Sequence, residues 1–214
     1  MVDNTQLIRD EVLKFKDSAD FYVAHVIQRA KDKKADGTIV EGDSTGDGQR
    51  LLKTWYLDSV EYWDRKLPIM KDIAEANRAR LYVLPQVRNK LTVNRVLAKA
   101  IIDAIDDDHV RYDHLIRTAV CGCHASREKM WILDVDNDIV PEGENQHERA
   151  KAVALAFIAD IQNWRNLTPE MYRAEKLFET RNGWGVLTLP FDVRIVPNQN
   201  IIMKDAMMLA YCDF

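Results

Sequence analysis

Met130-Trp131-Ile132-Leu133-Asp134-Val135-Asp136 decides how the rest of the chain is read. An apolar run of this length, rich in β-formers, predicts a buried strand. Side chains on a strand alternate between faces, so Asp134 and Asp136 point the same way. Their carboxylates then stand several ångströms apart at the edge of an apolar core. Like charge and burial both oppose their ionisation there. A divalent cation resolves the conflict, and Mg²⁺ typically takes one or two carboxylates together with substrate phosphates. Asp-x-Asp on a strand thus suggests metal-assisted phosphoryl chemistry. The plain alternative is a strand that ends with its acids in water, and Asn137 and Asp138, which follow at once, suit that reading.

The bulk composition bounds the class. The chain has 214 residues, 47% of them hydrophobic and 30% charged, which fits an ordinary globular protein with a real core. Its formal charge of −4 excludes a uniformly basic nucleic-acid-binding surface but leaves room for a local basic groove. No apolar stretch approaches the roughly 18 residues that span a bilayer. The first residues lack the basic-then-apolar pattern of a signal peptide. Three cysteines, an odd number, fit a reducing cytoplasm better than a disulfide framework.

Working outward, periodicity predicts a short helix over 5–17 and strands over 21–27, 53–57 and 79–84, the last ended by Pro85. Between the first two strands, the stretch 35–49 carries four glycines among polar residues and reads as a loop. Ser59 suits the cap of a helix beginning at Val60. Pro68 suits the first turn of another helix running to about Asn77. Thr92 suits the cap of the clearest helix, in which Val93, Val96, Leu97, Ala100, Ile101, Ala104 and Ile105 keep three-and-four spacing. The acids at 106–108 should stop it. A further helix is expected with Ala150, Val153, Ala154, Phe157, Ile158 and Ile161 on one face. The stretch 177–191 reads as two strands joined through Asn182-Gly183, and 195–196 and 201–211 read as strands. Strands and helices without regular βαβ repetition predict an α+β fold with mixed or antiparallel sheets flanked by helices. We expect a single domain over 1–214, with room for an N-terminal subdomain at 1–90.

Four other constellations bear on chemistry. Around the turn, Thr180, Arg181, Asn182 and Gly183 offer a hydroxyl, a guanidinium and exposed backbone N–H groups, a set that can hold a phosphate or simply form a hairpin. Near the C-terminal end, Lys204 and Asp205 interrupt an apolar strand; they form either a phosphate-facing lysine with a third carboxylate or a turn between strands. Arg78, Arg80, Arg88 and Arg95, with Lys90 and Lys99, make a local basic excess that suits a nucleic-acid groove or a solvated helix face. Cys121-Gly122-Cys123-His124 has zinc ligand types at the wrong spacing, so buried thiols are the better reading. His25, His109, His114 and His147 show no pairing and are given no role.

In their order these pieces resemble the archaeo-eukaryotic primase superfamily, and more closely the short primase-polymerase-like proteins of bacteriophages. That family carries Asp-hydrophobic-Asp on a strand, then a Ser/Thr-x-x-Gly-x-His type element, then an acid on a further strand. Here they match Leu133-Asp134-Val135-Asp136, Thr180-Arg181-Asn182-Gly183-Trp184-Gly185 and Met203-Lys204-Asp205. The stretches Gln28-Arg29-Ala30-Lys31-Asp32 and Ala79-Arg80-Leu81-Tyr82-Val83 also look like such phage proteins. The resemblance implies a primase-polymerase-like core that joins nucleoside triphosphates on a DNA or RNA template. Asp134, Asp136 and Asp205 would hold Mg²⁺ or Mn²⁺, and Thr180, Arg181, Asn182, Gly183 and Lys204 would meet the triphosphate. It further implies work in the cytoplasm, the host's if the chain is phage-encoded, with no membrane. A helicase or priming module would be a separate replication protein.

One position departs from the family. Its phosphate-contacting histidine falls at Gly185, which has no side-chain donor, and such a loss costs a few kcal/mol of transition-state stabilisation. Two alternatives therefore stand beside the polymerase. One is a catalytically reduced primase-fold protein that binds nucleic acid or a replication partner. The other is a metal-dependent nuclease built on the same two acids.

Overall fold

The computed structural model describes residues 1–29, 32, 49–106, 108–109, 111–121 (backbone only at Cys121), 129–141, 143–165, 175–196, 201–203 and 206–214. Among them the fold is α+β, with two antiparallel sheets and five helices. The first sheet has the order β1 (Val2–Asp3), β9 (Met208–Cys212), β4 (Arg80–Asn89), β2 (Asp20–Arg29), β3 (Gln49–Leu57). The second has the order β6 (Lys176–Thr180), β7 (Gly183–Thr188), β5 (Trp131–Asp136), β8 (Ile202–Met203).

Helix α2 (Val60–Ala76) covers the first sheet with Trp63, Met70 and Ala74, all fully buried. α3 (Lys90–Asp103) and α4 (Tyr112–Cys121) pack Val93, Ala119 and Val120 against Phe21, Val23 and Leu84. α5 (Gln146–Arg165) lays Ala150, Ala154 and Ile161 on Leu133, Val135 and Val186 of the second sheet. Alternation along β5 therefore sends Leu133 and Val135 toward α5, and sends Ile132, Asp134 and Asp136 to the opposite face. That single choice of register positions the candidate site.

The two sheets share apolar contacts. Ile132, Phe178 and Leu187 of the second sheet belong to the same cluster as Trp63, Leu81 and Met208. Asn4, buried just before the short α1 (Thr5–Leu7), clips them together. Its Nδ2 donates to the carbonyls of Glu179 (2.8 Å) and Leu209 (2.9 Å).

Several expected boundaries move. The helix expected over 5–17 is α1 continued by one π-helical stretch, Ile8–Val12, because Leu13 leaves helical backbone at ψ 78° and the chain turns into β2. Pro68 does not open a helix; it lies inside α2, whose buried positions 63, 70 and 74 keep one unbroken stripe across it. Pro85 does not end β4. It falls where the β2–β4 register shifts, between the pairs Val23↔Leu84 and Phe21↔Arg88, where its missing N–H interrupts no regular ladder. The cap of α3 is Asn89, not Thr92: the Asn89 carboxamide accepts from the backbone N–H of Leu91 (3.1 Å) and Thr92 (3.4 Å). Ser59 caps α2 as expected, accepting from Tyr62 N–H at 3.1 Å. The stretch 193–195 is a 3₁₀ turn rather than a strand, and α4 carried no sequence expectation. The glycine-rich stretch 35–48 and the Gly122-Cys123-His124 segment lie outside the described residues.

His25 on β2 sits with Nδ1 2.9 Å from Thr54 Oγ1 on β3, and burial pushes its pKa down to about 4. The unfolded chain takes up this proton near pH 6.5. Stability from the neutral imidazole is thus complete above about pH 6.5, falls as pH drops toward 4, and changes no further below that. Its full extent is up to about 3 kcal/mol. Urea midpoints measured at pH 7.5 and 4.5 should fall further for the native protein than for His25→Gln. Parallel losses in the two proteins would contradict this assignment.

Candidate active site

The floor of the site is the face of the second sheet turned away from α5. Register fixes its rows. Asp134 pairs with Gly185, which pairs with Phe178; Asp136 pairs with Gly183, which pairs with Thr180. Residues directly opposite on neighbouring strands share a face. The two acids, both half-buried, are separated by roughly 6.6 Å of strand rise. The N–H of Asn137 donates to the carbonyl of Asn182 at 2.7 Å, which holds the end of β5 beside the β6–β7 turn. That turn is Arg181-Asn182, closed by the Thr180↔Gly183 pair; the expected Asn182-Gly183 turn is displaced by one residue.

Both glycines in the floor have steric reasons. A Cβ at Gly183 would stand 2.1 Å from the Val135 carbonyl oxygen, which is backbone and fixed by the ladder. A Cβ at Gly185 would stand 2.1 Å from Cζ of Phe178, whose ring lies over it. The ring thus fills the space into which a side chain at 185 would project, so an imidazole there requires Phe178 to leave. Gly183→Ala should destabilise by about 3 kcal/mol or more, and Gly185→Ala by about 1–3 kcal/mol. Only the second should be relieved by adding Phe178→Ala, a difference readable in chemical denaturation. Equal rescue of both would contradict the packing described.

The facing wall comes from the first sheet. Arg29 at the end of β2, Arg80 and Tyr82 on β4, and Leu209 on β9 border the same cavity as Asp134, Asp136, Thr180, Arg181 and Asn182. Its volume is about 290 Å³, at the small end for a ligand site. Asp32 is fully buried and holds the two walls together. Arg80 Nε donates to its Oδ2 at 2.8 Å and Arg80 Nη2 to its Oδ1, while Arg181 Nη1 reaches the same Oδ1 from the second sheet. Burial works most strongly against the Arg80 charge, but the hydrogen bonds and charges of Asp32 and Tyr82 together outweigh it and the pKa stands above its ordinary value. Burial raises the Tyr82 phenol likewise. Arg29 stacks its guanidinium 5.7 Å from the Tyr82 ring centre. Among the described residues bordering the cavity, two polar atoms are buried without a hydrogen-bond partner: Arg29 Nε and Thr180 Oγ1. Each such atom costs about 1–3 kcal/mol, more when the group is charged.

Asp134, Asp136, Thr180, Arg181 and Asn182, with Arg80, meet around one cavity. Gly183 lies beneath it as a spacer between Asp136 and Thr180. Lys204 and Asp205 lie outside the described residues. The basic set is dispersed. Arg80 is buried in the cavity wall, and Arg88 is equally buried with Nε on the Val120 carbonyl and Nη1 on the Gln86 carbonyl. Arg95 is exposed on α3. Arg78, at φ 46°, stacks 5.0 Å from the Phe214 ring, which Arg181 approaches from 4.8 Å. These four arginines therefore do not share one open groove. Arg29, Asp32, Tyr82 and Phe178 carried no role in the sequence reading of the residues. Arg29, Asp32 and Tyr82 fall in the two further stretches that resemble phage proteins, but nothing there shows which distant residues they meet; Phe178 meets Gly185 across its own hairpin.

No family model, curated protein or solved structure matches the chain. Nor, among the described residues, do three or more His, Cys, Asp or Glu side chains gather in a metal-binding group. Two carboxylates on one strand face are nevertheless a fitting donor set for Mg²⁺ or Mn²⁺, whose remaining ligands commonly come from water and substrate phosphate. None of the described helices is long and apolar enough to cross a membrane.

Proposed function

We propose that the chain is a metal-dependent nucleotidyltransferase of primase-polymerase type. It extends or initiates a nucleic-acid strand from nucleoside triphosphates on a DNA or RNA template. The observation that supports this reading most is the shared cavity: the Asp-x-Asp face of β5 and the Thr180-Arg181-Asn182 turn border it together, opposite two arginines of the first sheet. Asp134 and Asp136 hold the divalent ion, which when bound supplies activation of the attacking hydroxyl and charge neutralisation at the leaving pyrophosphate. Asp205 is the third acid of this proposal, and Lys204 an additional cation. Thr180 and Asn182 orient the triphosphate. Arg181, tied to Asp32, sets the position of the turn against the opposite wall. On this reading the protein works in the cytoplasm, beside a helicase or another replication protein.

Primer extension with labelled nucleotides and Mn²⁺ on a single-stranded template tests the proposal. Incorporation above background is expected with ribo- or deoxyribonucleotides; none with either would refute it.

Phe178 over Gly185 favours a second reading, a primase-fold protein that binds nucleic acid without extending it. It predicts single-strand binding that weakens steeply with salt and no incorporation.

A further inference from the structure

Helix α3 carries two apolar stripes, and the fold uses one of them. Val93 is buried against the first sheet and Leu97 packs beside it, with Ala100 and Ala104 following on the same side of the helix. On the opposite side stand Leu91, Ala98, Ile102 and Ile105, spaced by seven, four and three residues. All four are exposed, Leu91 at 62%, Ile102 at 67% and Ile105 at 72%. The Ile105 N–H donates to the Ile102 carbonyl at 3.3 Å, so the stripe continues through the turn beyond the helix end. Single exposed apolar side chains are ordinary on a protein surface, whereas a continuous apolar stripe marks a surface that is covered by something else.

Charge tells what covers it. One flank of the stripe carries Arg95 and Lys99 in the helix and then Asp103 and Asp106 at its C-terminal end. All four are exposed, and among the described residues none has an ion-pair partner. Two copies of the helix laid antiparallel bring like flanks together, so the basic part of each meets the acidic end of the other. Laid parallel, basic would meet basic. In the antiparallel pair Leu91 of each copy packs near Ile105 of the other. Ala98 falls at the crossing, where its small side chain lets the two backbones approach.

We infer that the outer face of α3 is an interface between two copies of this chain, related by a two-fold axis that crosses the helices near Ala98. The face is one helix of 14 residues, roughly 21 Å long, which is small for an interface. The dimer therefore forms and dissociates with concentration. It leaves the candidate active site open, because α3 begins at the Asn89 end of β4 and the cavity lies at the Arg80 end. The inference does not depend on the polymerase reading.

Sedimentation equilibrium of the intact protein over a hundredfold range of concentration tests it. The native protein passes from monomer to dimer and no further, and sodium chloride weakens the dimer by screening the flanking charges. Ile102→Glu weakens association tenfold or more with an unchanged thermal melt, since the position is exposed. Arg95→Glu with Lys99→Glu makes the flank acidic throughout, and Asp103→Lys with Asp106→Lys makes it basic throughout. Each of these two variants alone stays monomeric where the native protein dimerises, and their equimolar mixture regains the dimer. The mixture decides the question even if Ile102→Glu does not fold. A native protein that stays monomeric throughout overturns the inference, as does native-like association of Ile102→Glu or a mixture no better than its components. A dimer that tightens with sodium chloride would contradict the antiparallel arrangement. Cosedimentation of a monomeric native protein with phosphatidylcholine–phosphatidylglycerol vesicles, lost in Ile102→Glu, would assign the stripe to a lipid surface and overturn the inference too.

Discussion

Asp134→Asn is expected to lower divalent-ion-dependent nucleotide incorporation by at least about a hundredfold while the protein remains folded. The substitution keeps the shape of the side chain and removes one of two carboxylates on the cavity face of β5. Asp134 is only half-buried and lies on the face opposite Leu133 and Val135, so the apolar contacts with α5 persist. A thermal midpoint within a few degrees of the native value should accompany the loss. Asp136→Asn should behave alike, since it stands two residues on along the same face, and the double substitution should add little, as residues acting as one unit are not additive. Incorporation unchanged in either single variant would contradict the assignment of the two acids.

The largest effect on stability is expected at Asp32. Its carboxylate is fully buried, and the Arg80 side chain that it satisfies is only 5% exposed. Removing one partner of a buried ion pair leaves an uncompensated charge and costs about 3–5 kcal/mol. Asp32→Ala should thus lower the melting temperature by roughly 10 °C in a chain of this size. Arg181, 30% exposed, can turn partly to water, so Arg181→Leu should cost less than Arg80→Leu. Combining Asp32→Leu with Arg80→Met should recover part of the loss, because the Arg80 charge is removed together with its partner. A change under about 2 °C in Asp32→Ala would mean that Asp32 does not join the two walls in solution.

The floor of the site was legible because it is local. Alternation along Ile132–Asp136 tells which residues share a face, and one apolar helix, α5, fixes which face is buried. Thr180, Arg181 and Asn182 do not follow from alternation, because β7 pairs with β5 far along the chain; the order of motifs in the primase resemblance set that turn beside the two acids. The opposite wall was not legible. Asp32 meets Arg80 and Arg181 across 48 and 149 residues, and the family-like stretch that ends at Asp32 does not show that the acid is buried or which cations it meets. Among the elements, strands with clear alternation were readable, whereas the two prolines misled. Pro68 and Pro85 are tolerated for tertiary reasons: one because a continuous apolar stripe holds α2 across it, the other because a register shift spares its missing donor. Gly185 read as an absence, a lost imidazole. In the fold it is a requirement, since Phe178 occupies the space above it.

The proposed chemistry requires Asp134 and Asp136 to share one divalent ion. Crystals soaked with Mn²⁺ and a non-hydrolysable nucleoside triphosphate, measured at the manganese absorption edge, test this directly. The prediction is an anomalous peak about 2.0–2.3 Å from oxygens of both carboxylates, with the triphosphate reaching toward Thr180. A manganese peak elsewhere, or bound nucleotide with no peak between those two acids, would contradict it.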